Sequence, residues 1–232
     1  MKSELGFDLS QELFEALKNT YKQTEGEHLP QAKKYKKGEN IYKEGNVPKG
    51  IFFIKSGTVK LTHTSPFNKT VTIRFASKHD FIGYLSLIKH WDYVTTATAM
   101  EGSQVYFIPK KIFTQVIHSD NKFTAILLDI LCNRITESDK TLIHILTKEV
   151  IQRLALLLLS INHSKLMDPG HVDGIIRIPK KDLASILNIS AETLSRNLGK
   201  LSKEKAIKLQ NKTSIIEIIS KQKLLQLSRV ND

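Results

Sequence analysis

The stretch from Ile178 to Leu209, I-P-K-K-D-L-A-S-I-L-N-I-S-A-E-T-L-S-R-N-L-G-K-L-S-K-E-K-A-I-K-L, constrains this chain more than any other. It reads as two short helices joined by a tight turn. In the first, Leu183, Ala184 and Leu187 fall on one face, and Ala184 is small enough to let a second helix approach closely. Asn188-Ile189 breaks that pattern. Asn tolerates the left-handed conformation that ends a helix, and Ile189 can plug the gap between the two helices. Ser190 is a good N-cap, because its hydroxyl accepts from an otherwise unpaired backbone N–H. The second helix is expected from about Ala191 to Lys205, with Leu194, Leu198 and Leu201 as the inward stripe.

The opposite face of that second helix carries Glu192, Ser195, Arg196, Gly199 and Lys203. A duplex major groove admits a helix presenting such groups. Arg donates two hydrogen bonds to guanine O6 and N7, and Glu accepts from cytosine N4. The bland alternative is a solvated face with an ordinary Glu192–Arg196 pair at i, i+4. The preceding helix, the short turn and the basic surroundings favour DNA.

A-E-T-L-S-R following D-L-A-S-I-L-N-I resembles the recognition segment of the Crp/Fnr transcription regulators. That resemblance implies an α+β chain: an N-terminal β-roll of the jelly-roll kind, a long dimerisation helix and a C-terminal winged helix-turn-helix. It places the family's base-reading residues at Glu192, Ser195 and Arg196. Ser195 matches the Fnr branch. The cAMP-receptor branch has a further Arg just before the Glu, where this chain has Ala191. A half-site with a TTGAT-type core is the expectation. The resemblance also implies a homodimer that works with RNA polymerase.

Charge agrees with this placement. The chain of 232 residues has a formal net charge of +12, and residues 150–232 hold 14 basic and 7 acidic side chains. The first 149 residues hold 21 and 16, so basic charge is denser in the C-terminal third, where the two helices sit. Lys and Arg neutralise phosphates without sequence preference, although basic chains that bind no nucleic acid are common. Backbone contacts are expected from Lys180, Lys181, Ser190, Thr193, Lys200, Lys203, Lys208 and Lys212. Pro179 occupies the first-turn position where the family often has a phosphate-binding Thr, and Lys180 or Lys181 would take over that contact.

Cys132 is the one cysteine, which excludes an internal disulfide framework, a cysteine-rich zinc site and an iron–sulfur cluster, the last needing about four thiolates. Set among apolar residues on a helix, Cys132 reads as a packed thiol. The start, M-K-S-E-L-G-F-D-L, is no signal peptide, and no window reaches the roughly 20 apolar residues of a membrane span. A cytoplasmic protein without membrane contact is expected.

Upstream of the helix pair, Phe7 to about Tyr21 suggests a helix with Phe14, Leu17 and Tyr21 on one side and Asp8 or Ser10 as its cap. From Gln31 short apolar runs are punctuated by Gly38, Gly45, Gly50 and Gly57, read as turns between strands. Val59–Thr62 and Val71–Phe75 alternate, and further strands are expected at Tyr93–Ala99 and Gln104–Ile108. Such a series makes a sandwich or barrel. K-G-E-N-I-Y-K-E-G, I-K-S-G-T-V-K-L and D-F-I-G-Y-L resemble the cyclic-nucleotide-binding β-roll of the same family.

A cyclic nucleotide carries a phosphate that needs a cationic partner, normally Arg. Members of the family that bind cAMP have a Glu after the Gly of F-I-G and an Arg-Ser pair on the next strand. Here those positions hold Tyr84 and Tyr93-Val94. Tight cAMP binding in the usual mode is therefore not expected. Tyr84, Tyr93, Thr95, Thr96 and Ser138 are candidates to line a pocket for another effector, or the pocket is packed shut. Ser138 and Asp139 stand where the family places a nucleotide-contacting polar pair. No resident cofactor or metal is expected. Haem is left open, because His63, His79, His90, His118, His144, His163 and His171 are scattered without ligand-like spacing.

From Asn121 to Leu146 the chain has no Gly or Pro, enough for a helix of roughly 40 Å. Leu128, Leu131, Ile135, Ser138, Leu142 and Ile145 step by three and four, as in a coiled coil. This is a dimer seam, or else an amphipathic helix packed on its own β-roll. After it, Val150, Leu154, Leu157 and Leu158 make an apolar helix ending near Asn162. A loop L-M-D-P-G-H-V-D-G and a strand Ile175–Ile178 follow. Beyond the helix pair, Ala206–Gln210 and Ser214–Ile219 form a hairpin wing, and residues 221–230 a closing helix. The domain expectation is a sensor β-roll over 1–120, a dimerisation helix over 121–147 and a winged helix-turn-helix over 148–232. No nucleophile–base arrangement, phosphate loop or paired carboxylates argue for an enzyme. The remaining competitor is a small-molecule sensor whose winged helix contacts a protein instead of DNA.

Overall fold

The computed structural model describes residues 4–29, 31–164, 172–210 and 215–229. It divides into two compact units, residues 1–68 with 73–136, and 69–72 with 137–232.

The first unit begins with helix α1 (Glu4–Glu25), which buries Leu13, Phe14 and Leu17. The helix is longer than its pattern suggested, so positions 8 and 10 lie within it and not at its start. Strands β1 (Lys33–Tyr35), β2 (Asn40–Tyr42), β3 (Gly50–Ser56), β4 (Val59–Thr64), β5 (Thr70–Ala76) and β6 (Phe81–Ile82) follow. Then come the short α2 (Tyr84–Lys89), β7 (Thr96–Ala99), β8 (Ser103–Pro109), α3 (Lys110–Ser119) and the long α4 (Asn121–Thr147). The strands make two four-stranded antiparallel sheets, ordered β1-β8-β3-β6 and β2-β7-β4-β5. This is the β-roll.

Its two cores follow from the two-residue period of a strand. Phe52 and Ile54 of β3 point into the roll with Tyr42, Val59, Leu61, Ala97 and Val105. Ile51 and Phe53 point the other way, into a second core with α1, α3 and the start of α4. Phe53 stacks on Phe14 of α1 at 4.0 Å between ring centroids. A strand buried on both faces needs a continuous apolar run, and I-F-F-I supplies it.

Gly38, Gly45 and Gly57 hold the positive φ expected of turn glycines. Gly50 does not. It lies in β3 against β8, where an added Cβ would come within 2.1 Å of the Ile108 carbonyl oxygen. Close strand approach, not a turn, requires glycine there. The strand expected from Tyr93 starts only at Thr96, because the segment before it is loop. Strand β5 runs in the opposite phase to its apolar residues: Ile73 is 54% exposed, while its neighbour Arg74 is half-buried.

The second unit contains α5 (Val150–Ser164), β9 (Ile175–Ile176), α6 (Lys180–Leu187), α7 (Ala191–Lys203), β10 (Ile207–Leu209), β11 (Ile216–Ile218) and α8 (Lys221–Ser228). The strands form an antiparallel sheet ordered β10-β11-β9. Strand β9 is two residues shorter than the expected Ile175–Ile178. Leu154, Leu158 and Ile161 of α5 are buried with Leu183, Leu194, Leu198, Leu201 and Leu224. Asn162 ties the end of α5 to the sheet: its Oδ1 accepts from the Gly174 N–H at 2.7 Å. Part of the expected loop, residues 165–171, and the hairpin tip, 211–214, lie outside the described residues.

Candidate nucleic-acid interface

Helices α6 and α7 are joined as their sequence requires. Pro179 precedes α6, where a missing N–H costs nothing. Asn188 ends it in the left-handed region at φ 52°, and the Ile189 N–H bonds back to the Ala184 carbonyl at 3.0 Å. Ser190 then caps α7, its Oγ accepting from the Thr193 N–H at 3.1 Å. Two terminal signals two residues apart thus turn the chain between the helices.

Helix α7 buries Leu194, Leu198 and Leu201, together with Asn197, whose side-chain amide donates to the Thr193 carbonyl at 2.8 Å. Glu192, Ser195, Arg196, Lys200 and Lys203 are all exposed, and Gly199 and Thr193 are partly so. Among the described residues no ion pair joins Glu192 to Arg196, so the i, i+4 pair is not what holds this face. Lys180 and Lys181 open α6 at the surface, and Ser190 is also exposed. Lys208 stands exposed on β10, opposite Glu217 of β11. Lys212 lies outside the described residues. One unit therefore presents a polar helix face with lysines before and after it.

The candidate pocket residues divide. Tyr93 is 5% exposed, belongs to the core inside the roll, and donates from its hydroxyl to the Gly50 carbonyl at 3.0 Å. Burial pushes its phenol pKa well up. Tyr84 is equally buried but packs in the second core, with α1, α3 and α4. Thr96 Oγ1 accepts from the Glu44 N–H at 3.0 Å, and Thr95 hydrogen-bonds Tyr42. Ser138 lies exposed on α4.

Beside these tyrosines lies a residue the sequence reading passed over. Arg74 of β5 turns inward. Its Nη2 donates to the Phe81 carbonyl at 3.5 Å, and its Nη1 is fully shielded from solvent with no hydrogen-bond partner. Arg134 of α4 binds Asp80 Oδ1 at 2.7 Å, and Asp80 Oδ2 accepts from the Ser77 N–H at 2.9 Å. Burial lowers the Arg74 pKa most, repulsion from Arg134 next, against the pull of Asp80.

On α4, Phe123, Ile126 and Leu127 are buried against the roll. Further along, Leu128, Ile135, Leu142 and Ile145 are each more than half exposed, and only Leu131 among the seam residues is partly buried. Cys132 is exposed. The packed thiol expected from its neighbours is thus corrected, since Cys132 shares its side of the helix with the exposed Leu128 and Ile135 and not with the buried Phe123, Ile126 and Leu127. No group of three or more metal-ligating side chains gathers among the described residues. No described helix is long and apolar enough to cross a membrane.

A β-roll, a long helix and a winged helix-turn-helix define a class of regulator, and comparison with known proteins places the chain in it. Residues 32–120 match the cyclic nucleotide-binding domain, and residues 152–227 match the Crp-like helix-turn-helix domain. Electron transport regulator A of Shewanella oneidensis is 27% identical over 191 residues, 81% of this chain and 75% of that protein. The fumarate and nitrate reduction regulatory protein of Vibrio cholerae is 25% identical over 206 residues, covering 88% and 80%. The cyclic AMP receptor protein of Thermus thermophilus is 25% identical over 179 residues, covering 77% and 80%. Among solved structures, FixK2 from Bradyrhizobium japonicum superposes with a TM-score of 0.75 at 18% identity, over 88% of this chain and 100% of that one. A Crp/Fnr-family regulator from Thermus thermophilus gives 0.72 at 18% identity, over 87% and 100%. The chain belongs to the Crp/Fnr family of transcription regulators. It has that family's helix-turn-helix DNA-binding domain, and the family's members are regulators, not enzymes.

Proposed function

We propose that the chain acts as a homodimer that reads a palindromic DNA site. Glu192, Ser195 and Arg196 of α7 contact base edges, with a TTGAT-type half-site. Lys180, Lys181, Ser190, Thr193, Lys200, Lys203, Lys208 and Lys212 hold the phosphates on either side. The observation carrying this is the division of α7: three leucines buried inward, and an exposed Glu, Ser and Arg outward. Two copies are needed because one helix-turn-helix reads only a few base pairs, whereas a two-fold pair reads half-sites about one helical turn apart. The exposed apolar residues of α4 are the seam between copies. The β-roll senses an effector other than cAMP, because Tyr93 fills the phosphate-binding position and is committed to Gly50. RNA polymerase is the partner through which the bound dimer acts.

The test is selection of bound sites from random duplexes by the purified protein. A two-fold symmetric consensus is expected. Arg196→Ala should lose about 1–3 kcal/mol of discrimination at one base pair per half-site. A variant that selects the same consensus with the same stringency would remove Arg196 from the groove.

A further inference from the structure

The β-roll encloses a cation that its own atoms do not neutralise. A guanidinium presents five N–H donors and cannot shed its charge in a protein. Arg74 uses them poorly: Nη2 makes one long bond, and Nη1 makes none although water does not reach it. Leaving such a group unmet in the interior is costly, and native structures rarely do so without a reason.

The neighbouring charges worsen the imbalance. Arg134 approaches from α4, and the Asp80 carboxylate acts on both guanidiniums. Asp80 Oδ1 is held by Arg134 and Oδ2 by the Ser77 N–H. Arg74 feels the repulsion of Arg134 more than the attraction of Asp80. Tyr42 and Tyr84 complete the surroundings with phenol groups. Among the described residues, Arg74 Nη1 is left without an acceptor.

We propose that the β-roll of this protein binds a small oxyanion on the inward guanidinium of Arg74, with Arg134 as its second cationic neighbour. Guanidinium geometry suits phosphate and carboxylate oxygens, which accept two parallel N–H bonds. The occupant is small. Tyr42 and Tyr93 belong to the core inside the roll, are each less than 9% exposed and stack at 4.0 Å, so their rings occupy space a nucleoside would need. The cation also enters from β5. The position where the family's phosphate-binding Arg is expected holds Tyr93, on the segment after α2. The anion site is thus built from a strand that a comparison of motifs does not examine. Because Arg134 belongs to α4, an anion here would pull on the seam helix. That consequence rests on the dimer reading above, but the binding itself does not.

The test is thermal melting of the purified full-length chain without DNA, titrated with sodium phosphate at constant ionic strength. A ligand that binds only the folded state raises the melting temperature in a saturable way. Parallel titrations with sulfate and acetate distinguish a phosphate-like from a carboxylate occupant, and chloride is the control. The expected result is a saturable rise with one oxyanion, absent with chloride, lost in Arg74→Met and unchanged in Lys208→Ala. The last variant separates the roll from the basic helix-turn-helix, where phosphate could also collect. Arg74→Lys keeps the charge without the fork and should weaken the apparent affinity at least tenfold. It decides the matter should the Met variant fail to fold. No saturable response in the parent chain, an equal response to chloride, or an undiminished response in the Arg74 variant that folds would overturn the proposal.

Discussion

Gly199 sits in the middle of α7, on the side turned away from the leucines, and a Cβ added there would meet nothing within 4 Å. Folding gives no reason for glycine at this position. A helical glycine costs about 0.5–1 kcal/mol relative to alanine, so Gly199→Ala should raise the melting temperature of the free protein. The reason for the glycine lies outside the fold if α7 seats deeply in a groove, where a methyl group would meet the duplex. The same variant should then bind its selected site more weakly than the parent, and a titration with labelled duplex reads this directly. Higher stability with unchanged affinity would remove deep seating. Other single residues were equally open to inspection. Asn188 and Ser190 declared the turn because each performs a local task, one at positive φ and one at a cap, that few side chains do well. Arg74 and Cys132 were illegible for the opposite reason. Their positions depend on which face of β5 and of α4 meets the core. The alternation V-T-I-R-F-A suggests Ile73 inward, whereas the structure turns Ile73 out and Arg74 in.

At the scale of elements, α4 performs two tasks along one length. Its first turns bury Phe123, Ile126 and Leu127 against the β-roll, and Arg134 bonds to Asp80. The helix packs on its own roll at one end and leaves apolar residues uncovered beyond, where the proposed seam lies. Ile135 is 62% exposed and Leu142 55%. Burying such a side chain in a dimer contributes about 1.5–3 kcal/mol per copy. Ile135→Glu would exchange that for a buried carboxylate facing its twin. The expected outcome is a dimer weakened about a hundredfold or more, seen as monomer by sedimentation at concentrations where the parent is dimeric. Helix content by circular dichroism should not change, because the side chain stands mostly exposed on the helix surface. An unaltered dimer would move the seam elsewhere. The strands were harder to bound than the helices. β7 and β9 are shorter than their apolar runs, since Tyr93 and Ile178 are buried from loop segments instead of from a ladder.

For the whole molecule, charge and the proposed two-fold assembly combine into a measurable quantity. Each phosphate that a cation neutralises on duplex DNA lowers the slope of log affinity against log salt by about 0.9. A dimer makes every such contact twice. Lys208 is exposed on the wing strand and carries no base-reading geometry of its own, so it should act on phosphate alone. Lys208→Ala should therefore reduce the magnitude of the slope by about two, one contact per protomer. It should weaken selected and unselected duplexes by the same factor, leaving the preferred site unchanged. Arg196→Ala should do the reverse, flattening site preference with a smaller effect on salt dependence. The monomeric Ile135→Glu variant supplies the third arm, with a slope near half that of the parent. If Lys208→Ala left the slope intact, the wing would not touch the backbone. If the slope changed by about one while the parent was demonstrably dimeric, only one protomer would place its wing on the duplex, and the two-fold reading of the site would fail.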